Sequence, residues 1–407
     1  MLQTLSSAIN MARQTSDSLK MNPRLDRHFP SVADMRAEAL RRLPRFMGEY
    51  LSFGMGRGGG TRRNRRDLQA VELMPRYCCD ASQVTTEVAF CGQRYAAPFG
   101  VAPVGNGGLA WPRAPELLCE AARRHQIPFT SSTFSFLNLE KIKAHAGDCA
   151  WFQLYRPNAR DIETDLLARA EAAGYQTLLV TVDVPSPTRR DHDIRNGFSL
   201  PPRMDTRTVL DLITHPAWSL AVALYTMKSG FPAFENFKPY LPAGLSRIQA
   251  MEFASQALGG HVGAEAIAGI RELWPGTLVA KGVLSPEDAL RYRDLGADAI
   301  AVSNHGGRQL ESAPSTARAL PAIRKAVGED YPLIVDSGVR SGLDICRMIA
   351  LGANFVLMGR AFYYALAAIG PEGAEHVMQL LKAELVCTMG QLGCVSLDEL
   401  PDRLSVS

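Results

Sequence analysis

The sequence has no uninterrupted run of the roughly 18 apolar residues that a membrane-crossing helix requires. Its first stretch, MLQTLSSAINMARQTSDSLK, lacks the apolar segment of a secretory signal. Net charge is nearly absent as well. Lys and Arg number 44 against 41 Asp and Glu, a formal +3 over 407 residues. Nucleic-acid binders usually carry a basic excess or stripe, so no nucleic-acid partner is expected. The eight cysteines (Cys78, Cys79, Cys91, Cys119, Cys149, Cys346, Cys387 and Cys394) form no CxxC pair and no disulfide framework. That spacing fits reduced thiols in a cytoplasmic protein, and no metal site is expected. There is no solenoid repeat. A hydrophobic fraction of 46% with 21% charged residues excludes a disordered chain.

What is present is an alternation of short apolar runs with helix-like segments. The runs are Pro98–Pro103, Pro128–Ser132, Ala150–Tyr155, Thr177–Asp183, Leu278–Gly282, Ala299–Asn304, Pro332–Asp336 and Asn354–Gly359. Continuous apolar runs of this length suit strands buried on both faces of a parallel sheet. Between them, Asp161–Ala173 places Ile162, Leu166 and Ala170 on one face and stops at Gly174. Ser285-Pro286-Glu287-Asp288 reads as an N-cap, a proline and first-turn acids, and that helix is expected to end at Gly296.

Eight such units are the number that closes a (β/α)₈ barrel, an α/β fold. The competing architecture is a doubly wound open sheet, which wants GxGxxG after its first strand. Here that turn reads Val104-Gly105-Asn106-Gly107-Gly108. The expected layout is an N-terminal helical segment with a lid (1–95), the barrel (96–370) and a C-terminal helical tail (371–407). An insertion at 184–262 follows the fourth strand and so lies at the C-terminal mouth, where barrel active sites sit.

The strand ends converge reactive groups on that mouth. Gln153 and Tyr155 close the third strand, Thr181 and Asp183 the fourth, and Lys281 the fifth. The sixth runs into Ser303-Asn304-His305-Gly306-Gly307-Arg308. Asp336-Ser337-Gly338-Val339-Arg340 and Gly359-Arg360 close the seventh and eighth, where barrels hold phosphate. His305 is the leading general base, with Asp183 as the carboxylate that fixes its tautomer. Arg308 and Arg190 suit a bidentate grip on a carboxylate, although Arg189-Arg190-Asp191 also reads as a solvated charge cluster. No side chain accepts a hydride equivalent, so an oxidation here needs a cofactor.

The string SNHGGRQL (Ser303–Leu310) resembles the FMN-dependent α-hydroxy-acid dehydrogenase and oxidase family, for which it is highly specific. TVDVP (Thr181–Pro185), AKGVLSPEDA (Ala280–Ala289) and DSGVRSGLDICRMIALGANFVLMGRAF (Asp336–Phe362) extend the likeness, which spans residues 35–400. FQLY (Phe152–Tyr155), THPAW (Thr214–Trp218) and STARALPAI (Ser315–Ile323) are most similar to its bacterial respiratory L-lactate dehydrogenase branch.

The resemblance implies a barrel with FMN at its mouth. His305 would abstract a substrate proton and Asp183 would orient it. Arg308 and Arg190 would hold the substrate carboxylate, with Tyr50 and Tyr155 completing the pocket. Lys281 would sit beside the flavin N1/O2 edge. Ser132, Gln153, Thr181 and Ser303 would hydrogen-bond the isoalloxazine or ribityl chain. The backbone of Ala102, Pro103, Val104 and Gly105 would pack along the ring. Asp336, Gly338, Arg340, Gly359 and Arg360 would hold ribityl and phosphate. The implied partners are a small 2-hydroxy carboxylic acid and an electron acceptor: a quinone, another carrier or, in the oxidase alternative, O₂. The implied assembly is a homotetramer.

Several positions depart from the family pattern. A basic, glycine-rich stretch, GMGRGGGTRRNRR (Gly54–Arg66), replaces an acidic one and reads as a flexible lid. Phe134 and Pro187 occupy pocket-lining positions, Gly105 stands where glycolate oxidase has Ala, and Glu311 replaces the usual Asp after RQL. In the insertion, Pro216–Lys228 (PAWSLAVALYTMK) is too short to span a bilayer. It reads either as a helix packed on the barrel or as an interfacial patch with Trp218 and Tyr225 at its ends. The second reading gives peripheral contact through residues 209–228 with the cytoplasmic membrane face.

Overall fold

The eight apolar runs lie side by side in chain order and close on themselves. The computed structural model describes residues 21–405, apart from 78–79, 187, 199–204, 231–232, 258 and 261. A hairpin of β1 (Val88–Phe90) and β2 (Gln93–Tyr95) leads into the barrel strands β3 (Phe99–Val101), β4 (Phe129–Ser132), β5 (Ala150–Leu154) and β6 (Thr177–Thr181). After the insertion come β7 (Thr277–Val283), β8 (Ala299–Val302), β9 (Leu333–Val335) and β10 (Phe355–Met358). All eight are parallel, and β10 pairs with β3 through Val356↔Phe99 and Met358↔Val101. This is the (β/α)₈ barrel, not the open sheet.

Side chains alternate across each strand, so every second residue faces the barrel interior. Trp151, Leu179, Val279, Ala299, Ile334 and Phe355 fill the lower interior. Two residues further along the same strands come Gln153, Thr181, Lys281 and, just past the end of β9, Asp336. The top layer is therefore polar, and it forms the floor of the mouth. Register keeps it level, with Ser132 opposite Gln153 and Thr181 opposite Lys281.

The other end of the barrel is closed by the hairpin, in a segment expected to be helical and lid-forming. Phe90 and Tyr95 pack on Trp151 and Phe355, and the Trp151 indole donates to the Tyr95 hydroxyl at 2.8 Å. Burying each large ring stabilises the barrel by about 1.5–3 kcal/mol.

The register shifts between Lys281 and Val283 in β7. The intervening Gly282 has φ +112°, and a Cβ there would lie 2.5 Å from the Asp183 side chain. Only glycine lets the strand pass so close to that carboxylate.

The helices follow the local signals. Arg160–Ala172 matches the expected amphipathic segment, and the Ser285 hydroxyl accepts from Asp288 N–H ahead of Pro286–Asp294. The glycine-rich stretch is a correction. Gly59–Gln69 is a packed helix rather than a flexible strap. Gly59 N–H donates to the Glu311 carboxylate at 2.8 Å, and Arg63 donates to the carbonyls of Glu311 and Ala313. Arg65 donates to the Gly338 carbonyl and pairs with Asp344 at 2.6 Å. The basic residues thus tie this helix to the loops after β8 and β9.

The insertion carries the helices Thr206–Thr214 and Pro216–Ser229. At Trp218 the packed-helix reading holds. The residue is buried, its indole donates to the Leu109 carbonyl at 3.0 Å, and its ring meets Phe46 edge-on. It anchors the helix inward instead of marking an outer edge. The Cys78–Cys79 pair and Pro187 lie outside the described residues.

Candidate active site

The polar floor, the loops after the strands and two outside segments enclose a cavity of about 490 Å³. His305 lies three residues beyond β8 with φ +57°, an uncommon conformation for a non-glycine residue that recurs at functional sites. Its Nδ1 is 3.1 Å from Asp183 Oδ1, and its Nε2 is 3.1 Å from the Tyr155 hydroxyl. With Nδ1–H committed to the carboxylate, Nε2 is left as an acceptor facing the cavity, where it accepts a hydrogen bond from the Tyr155 hydroxyl. Burial pushes the Asp183 carboxyl up, but His305 and then Lys281 outweigh it and hold it below the usual range.

Lys281 lies on the floor, with Nζ 2.9 Å from Asp336 Oδ2 and 3.0 Å from Ser303 Oγ. Burial works against its charge, yet Asp336 and Asp183 raise it above the ordinary lysine range. The ammonium therefore stays protonated although it is almost fully enclosed.

Five arginines line the cavity, of which Arg156 pairs with Glu163. Arg308 donates to the carbonyls of Tyr50 (2.6 Å) and Phe53 (3.2 Å), and its guanidinium stands 4.6 Å from the centre of the Tyr50 ring. Burial and then neighbouring Arg190 lower its pKa to about 10. Arg190 pairs loosely with Asp193 at 3.5 Å, and its buried Nε has no partner among the described residues. On the far side, Arg360 donates to the carbonyls of Leu51, Gly306 and Phe53. Burial lowers it to about 10, with Arg340 adding to the effect. Burial also lowers Arg340.

Most expected site residues meet here. Tyr50, Tyr155, Arg190, Arg308, His305, Gln153, Thr181, Lys281, Asp336, Gly338, Arg340, Gly359, Arg360 and Ala102–Gly105 all line the cavity. Three stand behind it. Asp183 backs His305. Ser132 donates to Gln153, whose amide in turn donates to Thr181. Ser303 holds Lys281 and the His305 N–H, so it supports the floor from beneath.

Sequence reasoning gave no role to three supporting contacts. The Ser337 hydroxyl accepts from Gly306 N–H and donates to Asp336. A reciprocal amide pair, Asn64 and Asn304 at 2.7–2.8 Å, joins the Gly59–Gln69 helix to the His305 loop. Phe198 stacks on Tyr50 with ring centres 4.5 Å apart. Ser337 was legible within the DSGVR string; the other contacts join segments remote in sequence and had no local signal.

A sequence model described as FMN-dependent dehydrogenase matches residues 39–406. The chain belongs to that family. An L-lactate dehydrogenase from Pseudomonas syringae pv. syringae is 37% identical over 377 residues, spanning 92% of this chain and 98% of that protein. Another, from Pectobacterium atrosepticum, is 39% identical over 378 residues, spanning 90% and 94%. Among solved structures, the monotopic membrane protein (S)-mandelate dehydrogenase is similar with a TM-score of 0.86 at 36% identity, covering 93% of this chain and 99% of that one. A mandelate oxidase gives 0.76 at 34% identity, covering 93% and 98%.

The cofactor of this FMN-dependent dehydrogenase is FMN, and the donor set fits it. Among the described residues, no carboxylate lies within ion-pair distance of the Arg340 or Arg360 side chain. Two buried guanidiniums with only carbonyl partners suit a phosphate. The helix Arg360–Ile369 begins beside them with no side-chain cap, leaving its first N–H groups for an anion. Gly338, at φ +100°, and Gly359 keep the wall free of side chains; a Cβ on Gly359 would come 3.1 Å from Val104.

Proposed function

We propose that this dehydrogenase oxidises a small L-2-hydroxy acid to the 2-oxo acid and passes the electrons to a quinone or another carrier. The observation that carries the reading is the joint opening of the Asp183-backed His305 and of Arg308 onto one cavity. The names of the relatives, L-lactate and (S)-mandelate dehydrogenases, support the same substrate class.

Arg308 and Arg190 bind the substrate carboxylate, whose charge and planar fork guanidiniums match. The Tyr50 and Tyr155 hydroxyls add donors. His305 Nε2 accepts a proton from the hydroxy acid, and Asp183 stabilises the imidazolium that results. FMN, when bound, supplies the two-electron acceptor that no side chain provides. Lys281, kept charged by Asp336 and Asp183, would offset negative charge gained by the bound cofactor. Gln153, Thr181 and the Ala102–Gly105 backbone would hold the ring system, with Ser132 and Ser303 bracing the floor. Asp336, Gly338, Arg340, Gly359 and Arg360 would hold ribityl and phosphate.

Anaerobic mixing with L-lactate, glycolate, L-mandelate and larger 2-hydroxy acids tests this directly. At least one is expected to bleach the flavin within a turnover. Failure of the whole panel would leave a flavin-binding scaffold. With the active substrate, dye reduction is expected to exceed peroxide formation in air, and the reverse would make the protein an oxidase.

Peripheral membrane association belongs to the same proposal. Leu210 and Ile213 on Thr206–Thr214, and Leu220, Leu224 and Met227 on Pro216–Ser229, are each more than half exposed. One such residue is ordinary; five on adjacent helices suit an apolar contact. No single described helix is long and apolar enough to cross a membrane. The double variant Leu210→Glu/Leu224→Glu is expected to move from the membrane pellet to the supernatant with dye-linked activity within about twofold of wild type, since surface changes are usually mild. Continued sedimentation with membranes would refute the contact. A homotetramer is the proposed assembly, and light scattering would show four chains.

A further inference from the structure

We infer that Asn106 is a positioning residue for substrate binding: its side-chain amide donates to the Tyr50 hydroxyl and commits the phenol proton to an incoming carboxylate. The inference rests on the reading of Tyr50 as a carboxylate ligand.

Asn106 follows β3 and lines the cavity. Its Nδ2 lies 3.3 Å from the Tyr50 oxygen, and the Tyr50 hydroxyl donates to the Gly105 carbonyl at 3.1 Å. The Tyr50 ring is held by Phe198 stacked on it and by Arg308 over it. Little freedom remains except rotation of the O–H bond. A phenol has one proton to give and can accept others. An amide N–H on its oxygen forces that proton away from Asn106, so Tyr50 acts as a donor. In the free site the proton goes to Gly105 C=O; an arriving carboxylate is the stronger acceptor and takes it.

Two features separate this role from a purely backbone one. Asn106 has φ +58°, a conformation Asn tolerates but glycine adopts without steric cost. The backbone alone therefore calls for no amide. The Asn106 Oδ1 is also buried with no partner among the described residues. A buried acceptor without a donor is destabilising, and glycine would avoid it. The amide is kept at a cost, and its N–H is the half that makes a contact.

The experiment uses the flavin-loaded enzyme and compares Asn106→Gly and Asn106→Asp in the wild-type and Tyr50→Phe backgrounds, with visible absorbance as a check on flavin content. Asn106→Gly is expected to raise KM for the hydroxy acid about two- to tenfold, the range of one hydrogen bond, with kcat within about twofold. Asn106→Asp is expected to raise KM further, because its carboxylate accepts the phenol proton and repels the substrate. Both effects are expected to vanish in Tyr50→Phe. An unchanged KM in Asn106→Gly, with Tyr50→Phe impaired, overturns this inference alone. So does a KM increase that persists undiminished in Tyr50→Phe. An unchanged KM in Tyr50→Phe overturns the carboxylate reading of Tyr50 and this inference with it.

Discussion

His305→Gln slows anaerobic flavin reduction by about 10²–10⁴-fold, the range for loss of a general base, while the protein remains yellow. Glutamine fills much of the same space and can hydrogen-bond to Asp183, but it cannot take up a proton. The groups assigned to the substrate carboxylate, Arg308, Arg190 and Tyr50, keep their own supports: Arg308 donates to the Tyr50 backbone carbonyl at 2.6 Å, and Arg190 pairs with Asp193. Substrate affinity should therefore change far less than the rate. Rapid mixing that resolves a binding step from bleaching separates the two. A rate near wild type with flavin bound would remove His305 as the base. A parallel loss of FMN would mean that the histidine acts through the loop it shares with Gly306, whose N–H is held by Ser337.

Lys281→Met is the second large effect, and it reaches both stability and rate. Methionine matches the length of lysine but leaves Asp336 without its partner at 2.9 Å and Asp183 with one cation fewer. Removing one member of a buried ion pair typically costs about 3–5 kcal/mol. Denaturant unfolding of the two apoproteins would read it. Because the folded Lys281 titrates above the ordinary lysine range, its contribution is fully present below that range. It is lost only as pH rises through the folded value. The two proteins should thus differ across neutral pH and converge in strong alkali as Lys281 loses its proton. Losing a preorganised charge where negative charge develops should also slow flavin reduction by about 10²–10³-fold. A variant as stable and as fast as wild type would leave Lys281 with no electrostatic role.

Much of this site is legible because the barrel turns linear order into position. Each apolar run ends at the mouth, so Asp183, Lys281, His305, Asp336, Arg340 and Arg360 can be picked out as residues closing or following strands. Tyr50 could not be found that way. It lies on the helix Arg45–Ser52, outside the repeat, and only the family resemblance brought it in. Ser303 shows the opposite limit: its place just past the end of β8 is legible, but which atoms it touches depends on Lys281 lying over it. Trp218 belongs to a helix apolar on nearly every side, whose pattern does not say which face turns inward. The β1–β2 hairpin has strands of three residues each, too short to carry an alternation signal.

The sequence by itself determined the strand runs, the polar layer two residues above the apolar one, and the candidate reacting groups. These follow from side-chain periodicity and residue chemistry, which are local. The tertiary structure decided the pairings that make those groups a site. Asp183 and His305 are 122 positions apart, and Tyr50 and Arg308 are 258 apart. The first pair meets because β7 pairs with both β6 and β8, and the second because the N-terminal helices dock over the mouth. Contacts of such separation depend on how whole elements pack, and no local pattern encodes them.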